Sequence, residues 1–369
     1  MSERPRSGEV AVLGAGVLGC LVARALARRK LAPLVIQQGG PRSGLAGVSS
    51  AAVWDHTEAA EIARVGLESV GRFQQLEEQI GPFGYLMTGG LAPAWTDADA
   101  SAKEAFAAAQ AEAALPVQWL PRDEVLQREP ALDGAVRGAT YSPREGVLNV
   151  NLLAQRLIAA AGALGATFLF HTGAVTVEDA GGRFLLHSAG GSLEVRKLVV
   201  TSGRWAAEIG TQLGLSVPTR SVRHRAAVTE KLPPLLRHRV SSARQEAGGE
   251  VVFDHVRYDD AGRASAVGAM REIAAAAHLA PALTAARVTR TWSWRGMVSP
   301  ARPLVGEIED GIYVAVPHAP GVSLAPILAH AVSAAVVEGR LPDAVSSWAA
   351  ERVRPAVTPG AMKDSQKGP

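Results

Sequence analysis

The chain has 369 residues, of which 47% are hydrophobic and 20% charged, and its formal net charge is +3. That length can bury a large core and fits two domains better than one, and the ordinary apolar content argues against disorder. So small a charge excess excludes a nucleic-acid surface, and aromatics at 5% leave few platforms for stacking bases.

The first organised stretch runs from Val10 to Gly40. A short apolar run, Val10 to Leu13, leads into Gly14-Ala15-Gly16-Val17-Leu18-Gly19; a helical pattern continues through Arg29, and Leu34-Val35-Ile36 is a second apolar run. Strand, helix and strand in this order make a βαβ unit, with the glycines spaced to hold a dinucleotide. Gly14 allows the tight turn out of the strand, Gly16 lets backbone approach a pyrophosphate, and Gly19 lets the helix lie close against the sheet. The phosphates belong at the helix N-terminus, where unpaired N–H groups and the dipole favour negative charge. One position departs from the pattern. Where most such sites end the second strand with Asp or Glu, to accept from ribose hydroxyls, this chain has Gln37, followed by Gln38. A Gln carbonyl still accepts but brings no charge, so the ribose is held more weakly or another group contributes. The alternative is a dinucleotide fold that has lost its ligand.

Cys20, the only cysteine, falls on the first turn of this helix. It can form no internal disulfide and no cysteine-based metal site, which leaves packing as its role. The glycine pattern and the series Arg24, Arg28, Arg29, Lys30 argue for a soluble helix and against a signal peptide. No later run is expected to reach membrane-spanning length without charge, and a reducing cytoplasm is the expected compartment.

Past Gly40 lies a small-residue segment, Leu45 to Ala52, whose side chains let backbone pass close to something flat. Ile62, Val65, Leu67, Val70, Phe73, Leu76 and Ile80 recur at helical spacing and predict a long amphipathic helix over 58–80. Tyr85-Leu86-Met87 reads as a strand, 97–115 as an alanine-rich helix, and 121–125 as the start of a short helix. Residues 138–150 read as strand and turn entering a helix over 152–164. Strand-like segments follow at 166–170, 174–178, 184–188 and 193–200. The last delivers Thr201-Ser202-Gly203-Arg204-Trp205 and then a helix to Leu213; a buried strand ending in small residues presents backbone to ligands.

From Val222 to Val298 the pattern changes. Strand-like runs at 226–229, 251–253 and 264–268, with a helix near 273–278, suggest a smaller antiparallel domain. The basic series Arg220, Arg223, Arg225, Lys231, Arg237, Arg239 and Arg244 reads as a solvated face or an oligomer contact, or else as a means of drawing in an anionic substrate. His224, His238 and His278 read as surface residues, and Asp259-Asp260 as a turn. Residues 311–316 resume the first sheet, a turn at Gly321 follows, and a helix is predicted over 324–338. The tail after Arg354 reads as disordered.

The order of these signatures resembles the D-amino-acid oxidase, glycine oxidase and sarcosine oxidase superfamily of FAD-dependent oxidoreductases. The resemblance rests on the glycine motif from Gly14 to Gly19, Ser49-Ser50-Ala51-Ala52, the segments Tyr141 to Val147 and Val199 to Trp205, Trp294-Arg295-Gly296-Met297, Arg302 to Gly306, and Gly311 to Val314 running into His318 and Gly321 to Pro326. It implies an α/β fold: a Rossmann-like FAD-binding domain (8–84, 140–216 and 299–353) with an inserted antiparallel-sheet substrate domain (85–139 and 217–298), then a flexible tail (354–369). It also implies removal of hydride from a carbon bearing an amine, giving an imine that water hydrolyses, with oxygen or another acceptor reoxidising the flavin. The flavin carries the difficult step, so no catalytic triad need appear.

The FAD contacts implied are Gly14, Gly16, Gly19, Gln37, Gln38, Ser49, Ser50, Ala51, Val175, Ser202, Gly203, Trp205, Gly321, Val322, Ser323 and Leu324. Candidates for touching substrate are His318, Tyr258, Trp294, Arg225 and His255, although aromatics such as Tyr258 and Trp294 are more often core than site residues. Members acting on amino acids commonly fork an arginine onto the substrate carboxylate. Val298 stands in that place here, leaving Arg302, or less directly Arg295, to do the work or to serve a structural ion pair. Gly296 stands near where some sarcosine oxidases attach flavin through cysteine, so FAD is expected to be noncovalent. An amine or amino-acid oxidase, a subunit of a heteromeric dehydrogenase, and a catalytically silent flavin-fold subunit are the readings left open; so is assembly as a homo- or hetero-oligomer.

Overall fold

The computed structural model describes residues 7–41, 43, 52–53, 56, 58–201, 206–258, 279–318 and 321–350, with the backbone alone for 255–258, 294 and 295. Its centre is the strand Ser7–Leu13, which pairs in parallel with Gly191–Val200 on one side and Leu34–Ile36 on the other. Thr167–Leu169 continues the sheet beyond Leu34–Ile36; Ile312–Val316 lies parallel to Gly191–Val200, and Leu304–Glu309 runs antiparallel at the edge. A hairpin of Thr176–Asp179 and Phe184–Ser188 widens this sheet. The unbroken apolar run of the central strand has a physical reason. Val10 and Val12 enter one core and Ala11 and Leu13 another, because a parallel sheet is covered on both faces.

Seven α-helices occur among the described residues: α1 (Val17–Arg28), α2 (Ala60–Ile80), α3 (Asp97–Glu112), α4 (Arg122–Arg128), α5 (Val150–Ala163), α6 (Ala206–Gln212) and α7 (Gly321–Glu338). Thr96 Oγ1 accepts from Asp99 N–H to cap α3, and Asn149 Oδ1 accepts from Leu152 N–H to cap α5. That cap starts α5 at Val150, earlier than the apolar spacing predicts.

Residues 311–337 contain no Asp, Glu, Lys or Arg, which overturns the expectation that no late run reaches membrane-spanning length without charge. With 18 residues and a mean hydropathy of 1.5, α7 is long and apolar enough to cross a membrane. In this fold it packs against α1 and α2 with Leu324, Ile327, Leu328, Val332 and Val336 buried, the part of a core helix.

The second sheet follows the order Val288–Val298, Arg220–Lys231, Glu250–Tyr258, Ala243–Gln245, Arg239–Val240, Gly90–Ala94, Gly138–Ser142 and Gln118–Pro121. It is antiparallel except where Arg239–Val240 pairs in parallel with Gly90–Ala94. The strand expected at Tyr85-Leu86-Met87 is not there. Leu86 makes a single bridge to Val147, and the ladder begins at Gly90, where the absent side chain gives the Glu145 carboxylate its room. The segments expected at 264–268 and 273–278, His278 among them, and the tail after Arg354 lie outside the described residues.

Candidate functional site

The glycine turn has an open mouth and a closed back. Gly14 takes φ +106° and donates its N–H to Ile36 O at 2.9 Å, turning the chain back over the neighbouring strand. At the back, a Cβ on Gly19 would overlap the Gly14 carbonyl oxygen and sit 2.7 Å from Thr201 Oγ1. Thr201 Oγ1 itself donates to Leu13 O at 3.0 Å and Gly14 O at 3.2 Å, so the turn cannot yield. At the mouth, Gly16 is the N-cap of α1, no side chain caps the helix, and a Cβ there meets nothing within 4 Å. First-turn amides open to a space that a side chain would fill fit a pyrophosphate.

Because Gly16 has φ −69° and ψ 178°, alanine fits its backbone. Gly16→Ala is therefore expected to leave the melting temperature of the cofactor-free protein unchanged and to weaken dinucleotide binding at least about tenfold, roughly 1.4 kcal/mol. Differential scanning fluorimetry and equilibrium titration measure the two effects separately.

Gln37 is buried beside this turn and does more than await a ribose. Its Oε1 accepts from Ala15 N–H at 2.8 Å, and its Nε2 donates to Ser43 Oγ at 3.0 Å, which donates to Gly40 O at 2.8 Å. An amide oxygen keeps a second lone pair, so Gln37 can brace the turn and still accept once more. Beyond it the backbone runs beside the end of the edge strand: Gln37 N donates to Leu169 O at 2.9 Å and Gly173 N to Gln38 O at 3.1 Å. Val175 lines a small cavity with Ile36, Leu169 and Thr172. The glycine turn, Gln37, Gln38 and Val175 thus gather beyond the carboxyl ends of the parallel strands, where open α/β sheets bind ligands. At the start of α7, Ser323 and Leu324 are fully buried, while Gly321 and Val322 before them are half-buried. Ser49, Ser50, Ala51, Ser202, Gly203 and Trp205 lie outside the described residues.

A second gathering lies where the chain passes from the second sheet back to the first. Val298, buried, ends its strand; Ser299 N donates to Pro317 O at 2.9 Å, and His318 Nδ1 lies 2.8 Å from Ser299 O. A carbonyl can only accept, so Nδ1 is the donor in this pair and Nε2 is the ring nitrogen left over. Arg302 pairs with Glu61 of α2 at 3.9 Å, and no contact among the described residues joins it to His318.

In the second sheet the candidates divide. Tyr258 is in register with Val222, and Trp294 with His224, whereas Arg225 is in register with His255 and Ser293. Successive strand positions alternate, so the Tyr258 and Trp294 positions share one face and Arg225 and His255 the other.

The basic series and its histidines are less exposed than their charged neighbours suggest. His224 is half-buried; burial lowers its pKa, opposed by Asp254. His238 Nδ1 lies 3.0 Å from the buried carboxylate of Glu129, and its ring meets Tyr141 edge-on. Arg223 is buried, and Arg239 and Arg244 are paired with Glu145 and Glu246. Neither histidine is a surface residue, and the series is not one solvated face. Strand alternation turns adjacent charges to opposite sides, and long-range partners draw them inward.

Sequence reasoning missed His56 and Glu145. Glu145 Oε1 accepts from His56 N–H at 2.7 Å and lies 2.6 Å from His56 Nδ1, while Oε2 accepts from Arg239 Nη1 at 2.9 Å. His56 Nε2 in turn meets Thr140 Oγ1 at 2.8 Å. Burial raises the Glu145 pKa, but Arg239 and His56 outweigh it and hold the carboxyl at about 2. These partners are 89 and 94 residues away, and no local pattern marks them.

Comparison with known proteins agrees with this arrangement. The family model described as DAO, FAD dependent oxidoreductase, matches residues 9–335. Glycine oxidase from Geobacillus kaustophilus is 26% identical over 341 residues, 86% of this chain and 90% of that protein. One of the subunits of opine oxidase from Rhizobium meliloti is 29% identical over 238 residues, 63% of this chain and 64% of that one. The crystal structure of glycine oxidase from Geobacillus kaustophilus aligns with a TM-score of 0.86 at 25% identity, over 94% of this chain and 99% of that chain. A Rossmann-like dinucleotide turn, a second and largely antiparallel sheet, and a family match spanning almost the whole chain lead to one conclusion: the protein belongs to the DAO family of FAD-dependent oxidoreductases.

Proposed function

We propose that this chain oxidises a small amine or amino acid, taking hydride from the carbon next to nitrogen and releasing an imine that water hydrolyses. The open N-terminus of α1, cleared at Gly16 and backed by Gly19, carries the reading, because it is where the pyrophosphate of FAD fits. FAD supplies the hydride acceptor. Gly14, Gly16 and Gly19 shape the phosphate turn, Gln37 braces it, and Gln38 and Val175 flank the adenosine end. The resemblance assigns Ser49, Ser50, Ala51, Ser202, Gly203 and Trp205, with Gly321, Val322, Ser323 and Leu324 at the start of α7, as the residues that would hold the flavin. The first sheet forms the FAD-binding domain and the second sheet the substrate domain, whose strands carry the substrate candidates Tyr258 and Trp294. Arg302 is held to Glu61 at 3.9 Å only, a pairing loose enough to release it to a substrate carboxylate.

Hydride leaves readily only from a neutral amine, so an ammonium substrate must first lose a proton. His318 suits that task, because its Nδ1–H is committed to Ser299 O and its Nε2 is the basic nitrogen. His318→Ala is expected to slow flavin reduction about a hundredfold at about pH 7. The loss should shrink above about pH 10, where the free amine is already neutral; stopped-flow absorbance across pH measures both. Cys20 is buried with its thiol pushed up to about 12, which supports noncovalent FAD and is compatible with a reducing cytoplasm.

The deciding experiment is an anaerobic screen of amines, amino acids and hydroxy acids against the purified yellow protein, with product identification. Reduction by hydroxy acids and by no amine would overturn the chemistry; no reduction by anything would favour a catalytically silent flavin-fold protein. A second reading, one component of a heteromeric dehydrogenase, is favoured by the 29% identity to a subunit of opine oxidase. It calls for fast reduction of a dye and slow uptake of oxygen.

A further inference from the structure

The far end of α1 presents a second charged site. Between α1, α2 and α7 lies a cavity of about 440 Å³ whose wall includes Arg24, Arg28 and Arg29 of α1, Arg72 of α2, and His330 and Ser333 of α7. A volume of that order holds a small ligand. Its wall shares no residue with the dinucleotide turn: along α1 it runs from Leu21 to Arg29, roughly 7 to 20 Å from Gly16 along the helix axis.

The charges in this cavity are incompletely matched. Arg29 pairs with Glu338 at 2.9 Å and Arg72 with Glu68 at 2.9 Å. Arg24 and Arg28 have no carboxylate partner among the described residues; both donate to the same neutral oxygen, Gln79 Oε1, at 2.6 and 3.1 Å. Two guanidiniums converging on one uncharged acceptor repel each other, and the arrangement is relieved by an anion that takes their remaining N–H groups. Burial and the charge of Arg28 lower the Arg24 pKa, the electrostatic mark of that crowding. Arg24 Nε, Arg29 Nη1 and Ser333 Oγ are buried behind this wall, so the donors that can meet a ligand in the groove are the outer guanidinium nitrogens.

We propose that the groove between α1, α2 and α7 binds a phosphoryl or pyrophosphoryl anion, gripped by Arg24 and Arg28 from one side and by Arg72 and His330 from the other. Guanidinium forks match tetrahedral oxyanions in pairs, and four arginines against two carboxylates leave room for two negative charges. His330 reports occupancy. Burial, Arg72 of α2 and Arg29 of α1 lower its pKa, with Glu338 of α7 and Glu68 of α2 opposing, so a bound anion raises it.

The test uses FAD-loaded protein, so that the turn at Gly16 is already filled, and titrates pyrophosphate, inorganic phosphate and adenosine 5′-monophosphate by calorimetry. One equivalent of pyrophosphate is expected to bind. If adenosine 5′-monophosphate binds more tightly than phosphate, the natural ligand is a phosphorylated metabolite; if it binds less tightly, a free inorganic anion. Gln79→Glu puts a carboxylate against both guanidiniums in place of the neutral amide. It should keep the flavin spectrum, melt no lower than the parent, and weaken pyrophosphate at least about tenfold. Nuclear magnetic resonance of the His330 imidazole should show its pKa rising with pyrophosphate in the parent and much less in Gln79→Glu. Absence of binding by all three anions, or equal binding by Gln79→Glu, would overturn the proposal. Loss of flavin from the parent protein would instead speak against the FAD site, and the yellow absorbance separates the two failures.

Discussion

Gly19→Ala is expected to yield protein that neither holds FAD nor melts cooperatively near the parent's temperature. The added methyl would overlap the Gly14 carbonyl oxygen, and that atom has nowhere to go. Its residue is tied by N–H to Ile36 O, and its carbonyl accepts from Thr201 Oγ1. The helix cannot retreat either, since α1 packs against α5 and α7 with Cys20, Val22, Ala23 and Leu26 buried. Overpacking of ordinary core sites costs about 1–3 kcal/mol, and a collision with fixed backbone belongs at or above the top of that range. Circular dichroism melting together with flavin absorbance after gel filtration measures the effect. The informative contrast is Gly16→Ala, three residues earlier, which should fold normally and lose only the cofactor. Equal behaviour of the two variants would mean that close helix-to-strand contact is not what Gly19 provides.

Glu145→Ala is expected to be the most destabilising side-chain truncation outside the apolar core. It strands the imidazole of His56, with a side chain 2% exposed, and the guanidinium of Arg239, 18% exposed, beside a cavity where a carboxylate stood. Removing one partner of a buried ion pair typically costs about 3–5 kcal/mol. The pH dependence follows from the direction of the shift. The Glu145 pKa is depressed from an ordinary 4.5 to about 2, so its stabilisation is fully present above 4.5 and is lost as pH falls from there toward 2. Linkage over that interval amounts to about 3 kcal/mol. Glu145→Gln keeps the shape without the titration. In urea unfolding, the stability gap between parent and Glu145→Gln should therefore be wide near neutral pH and narrow steadily as pH falls from 4.5 toward 2. A gap constant over that range would show that the carboxylate contributes through shape alone.

Much of the first sheet and its helices is legible in the residues because the forces that shape them are local. The run from Val10 to Leu13 has no polar alternation, which marks a strand covered on both faces, and Ile62 to Ile80 recurs at the spacing of one helix face. The strand looked for at Tyr85-Leu86-Met87 fails for want of a ladder partner, and its side chains at 86 and 87 are 57% and 41% exposed. Apolar character alone does not supply a neighbouring strand. His224 and His238 fail in the same way, since charged neighbours in sequence say nothing about what the fold brings over them.

The division between what the chain carries in its order of residues and what folding adds follows the range of the interactions. By itself the sequence determined the phosphate turn, the βαβ unit around it, the antiparallel character of the stretch from Val222, and the family to which the protein belongs. The first three depend on steric permission at a glycine or on periodicity within a dozen residues, and the family on the order of those signatures along the chain. Only the tertiary structure decided that Gln37 reaches Ala15, that Glu145 gathers His56 and Arg239, and that Arg24 and Arg28 meet over Gln79 in a groove closed by α7. Those contacts join residues 22 to 94 positions apart, and their geometry is set by how helices and sheets pack, a property no short stretch of sequence contains.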